Sequence, residues 1–213
     1  MGFVAPIYDC KLCDRLCEFR KENKKKFPTY YNGPVPSFGS LDAQVLVVGL
    51  APGLNGANQT GRPFTNDYAG DVLYPILKKM GFAEGEYKKI KNDGFELLNV
   101  RITNAVRCVP PQNKPTTNEE KICREFLKAE IKAMKNLKII LSLGTISHKN
   151  VLNALNIKQA KAKFGHGNVH ILENGILLID SYHTSRYNIN TGVLTYQMFE
   201  EIIKKIKGLV EEK

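Results

Sequence analysis

Six consecutive residues, Val45-Leu46-Val47-Val48-Gly49-Leu50, carry no polar side chain and run straight into Ala51-Pro52-Gly53. A strand with one wet face alternates apolar and polar residues. An unbroken apolar run is what a strand covered on both faces requires, and that means a parallel-type sheet with helices on either side. Residues 100–108 and 137–143 read as a second and a third strand. Between them the spacing becomes helical. Val72, Leu73, Ile76, Leu77 and Met80 precede Gly81, and Ile122, Phe126, Ala129 and Ala133 share a face of a helix over 118–134 with Thr117 as its expected cap. A helix is expected from Gly144 to about 155, and an amphipathic one over 195–210 that Gly208 interrupts late. Residues 169–172 and 176–180 flank Glu173-Asn174-Gly175, a hairpin signal.

Strands alternating with helices predict an α/β fold, a central, mainly parallel four-stranded sheet flanked by helices. Residues 1–40, rich in cysteines, aromatics, lysines and turn formers, read as an irregular layer over an α/β core of 41–213. No linker divides the chain, so a single domain over 1–213 is expected. Ligands of such sheets bind beyond the carboxyl ends of the strands. The loops after Leu50, after the 100–108 strand and after Asp180 are therefore where chemistry is expected.

Composition narrows the function classes. No segment approaches the ~18 apolar residues of a membrane span. The start of the chain reaches Asp9 without a basic-then-apolar export pattern, so a cytoplasmic location is expected. With 31 Lys+Arg against 21 Asp+Glu the net charge is +10. That excess suits a polyanion such as nucleic acid, and suits a solvated lysine-rich surface equally well. The run Lys24-Lys25-Lys26, with Lys21 and Lys11 nearby, is open to the same two readings.

Five cysteines in an intracellular chain point to metal rather than disulfides. Cys10-x2-Cys13 and Cys108-x14-Cys123 supply four thiolates, with Cys17 left over. Buried structural cysteines are the plainer alternative. Spacing leaves zinc and an iron–sulfur cluster both open. Either would clip the N-terminal layer to the 108–123 segment.

The loop from Gly49 to Asp67 is rich in glycine, but Arg62-Pro63 stands where a phosphate loop needs Lys and Ser or Thr, and no G-x-G-x-x-G follows a strand. What remains is a backbone-lined pocket, with Phe64 as a stacking face and the Asp67 carboxylate near it.

Taken together, several blocks resemble family 5 (type b) enzymes of the uracil-DNA glycosylase superfamily. They are Cys10-x2-Cys13-x-Arg15-Leu16, Tyr31-Asn-Gly-Pro-Val-Pro36, Gly49-Leu-Ala-Pro-Gly53, Thr60-Gly-Arg-Pro-Phe64-Thr65-x-Asp67-x-Ala69-Gly70, Ile102-Thr-Asn104-Ala-Val-Arg-Cys108-Val-Pro-Pro111 and His183-x-Ser185-x-x-Asn188-x-x-Thr191-Gly192. The resemblance covers residues 10–199. It implies hydrolysis of the N-glycosidic bond of uracil, and of other deaminated bases such as hypoxanthine, in DNA, which starts base excision repair. The target base must be flipped out of the duplex. Asp67 and His183 would be catalytic: Asp67 beside an oxocarbenium-like sugar or a water, His183 toward the leaving base oxygen. Leu50, Ala51, Phe64, Asn104 and Asn188 would hold the base, and Ser185, Arg186 and Tyr187 would meet the DNA. The plain alternatives are a helix cap for Asp67, a strand-end turn for Asn104 and an exposed loop histidine for His183. His148, His166 and His170 are read as structural or surface groups.

The resemblance further implies a structural [4Fe–4S] cluster on Cys10, Cys13, Cys108 and Cys123, with zinc as the alternative occupant, and a monomer associated with the nucleoid through DNA. Two departures stand out. Asn66 replaces the family's usual glycine, and its tolerance of a left-handed backbone is expected to preserve the loop. The block His183-Thr184-Ser185-Arg186-Tyr187-Asn188 lacks both prolines of the family's His-Pro-Ser-Pro-Leu-Asn, so a less rigid loop is expected. They keep open a catalytically weak or inactive DNA-binding iron–sulfur protein of the same fold; an iron–sulfur electron carrier ranks third.

Overall fold

A computed structural model describes residues 3–173 and 175–212. In chain order the elements are α1 (Asp14–Lys26), β1 (Val45–Gly49), α2 (Ala57–Thr60), α3 (Tyr68–Lys79), β2 (Ala83–Glu84), β3 (Glu96–Leu97), β4 (Val100–Asn104), α4 (Thr117–Ala133), β5 (Ile139–Leu143), α5 (Thr145–Ala154), β6 (Val169–Ile171), β7 (Leu177–Ser181), α6 (Arg186–Asn190) and α7 (Tyr196–Glu211). The main sheet runs β4-β1-β5-β7-β6. Its first four strands are parallel, and β6 joins β7 antiparallel at the edge.

The unbroken apolar runs are explained by this burial. Val45 and Val47 face one core with Ile102, Leu141, α3 and α7. Leu46 and Val48 face the other with Ile140, Leu178, α4 and α5. Each such side chain contributes about 1.5–3 kcal/mol on full burial. On the β4 edge Phe38 and Ile102 exchange backbone hydrogen bonds, so the N-terminal layer covers that edge.

The sheet has five strands where four were expected, because the 169–180 hairpin adds β6 to it. The turn of that hairpin includes Asn174, which lies outside the described residues. The 100–108 run stops being strand at Asn104. Thr116, not Thr117, caps α4; Glu119 closes a capping box with it. Exposed Gly208 does not interrupt α7, which continues to Glu211. The 1–40 layer is not wholly irregular: its α1 buries only Leu16, Arg20 and Asn23, too thin an apolar stripe to read from sequence. Among the described residues no helix is long and apolar enough to cross a membrane.

Candidate active site

Gly49 ends β1 and Asn104 ends β4, and the two are register partners. A methyl group on Gly49 would strike both the Asn104 amide oxygen and the Phe64 ring. Glycine is what lets amide and ring meet over the sheet end. Asn104 is 4 % exposed, and its side-chain amide bonds no other group among the described residues. Its donor and acceptor are thus free for a ligand edge.

Phe64 and Asn66 have φ of 51° and 62°, both left-handed. For non-glycine residues that backbone costs on the order of 1–3 kcal/mol and persists only when the surroundings hold it. The holding group is Arg62. Its Nη1 and Nη2 donate to the two Asp93 oxygens at 2.8 and 2.9 Å, and its Nε donates to Thr65 Oγ1 at 2.8 Å. Its guanidinium lies 5.0, 5.5 and 5.7 Å from the ring centres of Phe38, Tyr74 and Tyr87. Tyr87 accepts from Asn66 N–H at 3.2 Å and donates to the Phe64 carbonyl at 3.3 Å. The Asn66 amide donates to the Asn55 carbonyl and to Gln59 Oε1, each at 3.0 Å. Asn66 therefore adopts the expected left-handed backbone and adds ties that glycine lacks.

Asp67 caps α3: Oδ1 accepts from Gly70 N–H at 2.8 Å. The cap reading and a chemical role are compatible, since only one oxygen is so engaged. The other lies against Gly56, 2.8 Å from where a Cβ there would stand. Burial raises the Asp67 carboxyl above its ordinary range, opposed by the Gly70 and Ala69 N–H groups and reinforced by Asp71.

His183 follows β7, its ring centre 6.0 Å from that of Phe64. Burial, with no charged partner, pushes its pKa down to about 4. The ring is a neutral imidazole that can donate one N–H. Where the family's prolines are missing, hydrogen bonds hold the loop. Thr184 Oγ1 donates to the Ala69 carbonyl at 3.3 Å, Ser185 Oγ accepts from Asn188 N–H at 3.3 Å, and Asn188 Nδ2 donates to the His183 carbonyl at 2.8 Å.

Ala51, Ala57, Phe64, Asp67, Ala69, Asn104 and His183 line one cavity of about 40 Å³. That is far smaller than drug-sized pockets, which begin near ~300 Å³. Five of the expected residues meet there; Leu50 and Asn188 do not line it. Asn188 acts on the His183 backbone instead. Ser185, Arg186 and Tyr187 sit outside, with Tyr187 73 % exposed and the Arg186 guanidinium 5.3 Å from the Tyr68 ring centre. Sequence reading missed Ala57 and Ala69, whose smallness beside Gly56 and Gly70 was the available signal. It also missed Asp93, which no local signal ties to Arg62.

All five cysteines line a second, mostly apolar cavity of about 20 Å³, with Arg20, Arg107, Leu16 and Phe126 among its walls. Cys17 Sγ donates to the Cys10 carbonyl at 3.2 Å. Cys123 Sγ accepts from Arg107 N–H at 3.3 Å. Burial pushes the Cys13 thiol up to about 11 and Cys108 up to about 12. Among the described residues no three sulfurs lie within 4.8 Å of one another; the one such group of ligand atoms is His148, His170 and Asp180. Thiolates ~2.3 Å from a single zinc would be closer than that. The five sulfurs share one cavity wall and are the donors that a thiolate-bound centre would use.

The His148 group is satisfied internally. Asp180 receives Ser142 Oγ and His148 Nδ1 at 2.7 Å and His170 Nε2 at 3.1 Å. His166 Nδ1 accepts from Tyr182 N–H at 3.2 Å. All three histidines are held by protein partners.

A family model described as the uracil DNA glycosylase superfamily matches residues 36–207. A Type-5 uracil-DNA glycosylase of Thermus thermophilus is 38 % identical over 98 % of this chain and 97 % of its own length. One of Pyrobaculum aerophilum is 36 % identical over 95 % of this chain and 90 % of its own. A Type-4 uracil-DNA glycosylase of Saccharolobus solfataricus is 27 % identical over 92 % and 85 %.

Proposed function

The chain belongs to the uracil-DNA glycosylase superfamily, and we propose that it removes uracil from DNA by hydrolysing the N-glycosidic bond. One observation carries the reading to residues: the buried, unpartnered amide of Asn104 lies beside Phe64 in a cavity that Asp67 and His183 also line. A flipped uracil stacks on Phe64 and gives its N–H and carbonyl to the Asn104 amide. As the bond to the sugar lengthens, negative charge gathers on the base and positive charge on the sugar. The neutral His183 N–H donates to the base oxygen. The Asp67 carboxylate faces the sugar and orients the water that completes hydrolysis, leaving an abasic site. Hypoxanthine falls within the proposed range. Asn188 and Ser185 hold the His183 loop, while Tyr187 and Arg186 meet the strand, one by stacking and one at phosphate.

A DNA-binding protein without the chemistry is not favoured. Both departures that motivated it are absorbed by hydrogen bonds, those of Asn66 and those of the Thr184–Asn188 segment. The same reading takes the protein as a monomer of one domain with a 1–40 layer, acting where the cell keeps its DNA. Cys10, Cys13, Cys108 and Cys123 would hold a [4Fe–4S] cluster, zinc being the alternative. Such a cluster would supply iron–thiolate bonds tying the residues just before α1 to Cys108 beyond β4 and to Cys123 on α4.

The test is a base-excision assay on an end-labelled duplex with one uracil opposite guanine. Parallel duplexes are undamaged or carry hypoxanthine, and Asp67→Ala is the control. Alkali-dependent cleavage at uracil, lost in the variant, is the expected result. No cleavage by metal-loaded protein would overturn the reading.

A further inference from the structure

We infer that Arg20 and Arg107 are the counter-ions of a dianionic four-thiolate centre on Cys10, Cys13, Cys108 and Cys123. The inference rests on the metal-centre reading above and adds what holds its charge.

Arg20 lies on the inner face of α1, 8 % exposed. Its Nη1 donates to the Tyr8 carbonyl at 2.7 Å, and its Nη2 to the Cys10 carbonyl and to Cys17 Sγ. No carboxylate pairs with it among the described residues, and its Nε has no partner. Arg107 is 1 % exposed. It donates to Ser37 Oγ at 2.6 Å and to Glu130 Oε2 at 2.5 Å. Glu130 is shared, because Arg101 Nε donates to its Oε1 at 2.6 Å. The Arg107 Nε likewise has no partner. Glu119, the other carboxylate beside the cysteines, is already gripped by Arg15 at 2.7 and 2.8 Å.

The charges do not close. Two guanidiniums face one carboxylate at Glu130, which leaves one positive charge, and Arg20 adds a second. Buried charge without compensation is strongly unfavourable, and a buried N–H without an acceptor compounds it. Both arginines line the cavity that the cysteines line. Arg107 is paired with Glu130 and Arg101 lies outside this cavity, so what the cavity itself lacks is an anion for Arg20 and acceptors for the two orphaned Nε groups. Four thiolates on a core of charge two, whether [4Fe–4S]²⁺ or Zn²⁺, are such an anion and offer sulfur to N–H donors. The same geometry gives Cys17 a place. It is not one of the four ligands; its sulfur sits between the Cys10 carbonyl and Arg20.

The experiment compares wild type with Arg20→Gln, Arg20→Lys, Arg107→Gln and Arg107→Lys, all purified without oxygen. Iron, sulfide and zinc per chain are measured, then metal release to a chelator and, for an iron cluster, its reduction potential. Each Gln variant is expected to release metal roughly tenfold faster or more, the scale of one charge-assisted hydrogen bond. Its potential should move to more negative values, which a purely structural arginine would not cause. Each Lys variant keeps the charge and should stay near wild type. Wild-type release and potential in both Gln variants would overturn the inference. Zinc without iron or sulfide in wild type overturns the cluster reading alone, and zinc release from the same variants then decides on the arginines. Wild type holding no thiolate-bound metal after reconstitution overturns both. Far-UV circular dichroism identifies a Gln variant that fails to fold, and the comparison then rests on the other position.

Discussion

Arg62 grips Asp93 through two hydrogen bonds of 2.8 and 2.9 Å, and this buried pair underlies the turn that carries Phe64. Burial alone would raise the Asp93 carboxyl. The hydrogen bonds from Arg62 and from the Lys88 and Phe95 N–H groups bring it down to about 2. Asp93→Asn leaves the guanidinium half-paired and is expected to destabilise the fold by about 3 kcal/mol. The sign with pH follows from a depressed carboxylate. Its contribution is present above the unfolded carboxyl range near ~4 and is lost as pH falls toward about 2. Urea unfolding of wild type and Asp93→Asn across that range checks it. Equal slopes in both would contradict the assignment.

Asp67, and not His183, should set the acid limb of the pH–rate profile. The Asp67 carboxyl is raised by burial, so the acid limb of kcat should lie above the ordinary carboxylate range. The His183 ring, held near pKa 4, is already neutral there and should add no limb near pH 6.5, where an ordinary histidine would. His183→Ala removes a donor to the developing oxyanion and should lower kcat roughly 10²–10³-fold. Single-turnover rates from acid to neutral pH, with DNA affinity measured in parallel, test both points. A limb near 6.5 that disappears in His183→Ala would mean that the charged ring is the active form.

The parallel sheet was legible because strands buried on both faces cannot hide their apolar runs, as Val45 to Val48 illustrate. The pocket was legible where its groups end strands or sit in one loop, as with Asn104, Phe64 and Asp67. α1 was not, since its inward side chains include Arg20 and Asn23 and carry no apolar stripe. Asp93 was not, because its partner lies 31 residues earlier and only the β2–β3 ribbon brings them together. Asn188 does not line the cavity and meets the site through the His183 carbonyl, a tie between backbone and side chain that spacing does not reveal.

Gly49→Ala should separate folding from base binding. The added methyl meets the Asn104 amide and the Phe64 ring, both buried at the sheet end. Stability is expected to fall by no more than about 1–3 kcal/mol, the range for overpacking. kcat/KM on uracil-containing duplex should drop at least ~10²-fold, with affinity for undamaged duplex unchanged. Retained turnover would show that Phe64 and Asn104 can yield to the methyl.

Both ring nitrogens of His148 face acceptors, Nδ1 toward Asp180 Oδ1 at 2.7 Å and Nε2 toward the Ala162 carbonyl at 3.0 Å. Only the imidazolium satisfies both. Burial works against that charge, but the Asp180 carboxylate and the Ala162 carbonyl outweigh it and the pKa is raised. His170 shares the carboxylate through Oδ2, and Ser142 donates to Oδ1, so Asp180 is held from β5, α5 and β6 at once. A raised histidine stabilises the fold fully below its unfolded value near ~6.5, and that stability fades as pH rises through the folded value. Unfolding free energy should therefore decline on the alkaline side of neutrality. His148→Gln, which cannot titrate, should be less stable at pH 6 and lose the decline. Urea unfolding from pH 6 to pH 9 reads both. Parallel curves for the two proteins would place the titrating group elsewhere and leave His148 neutral, with one acceptor unpaired.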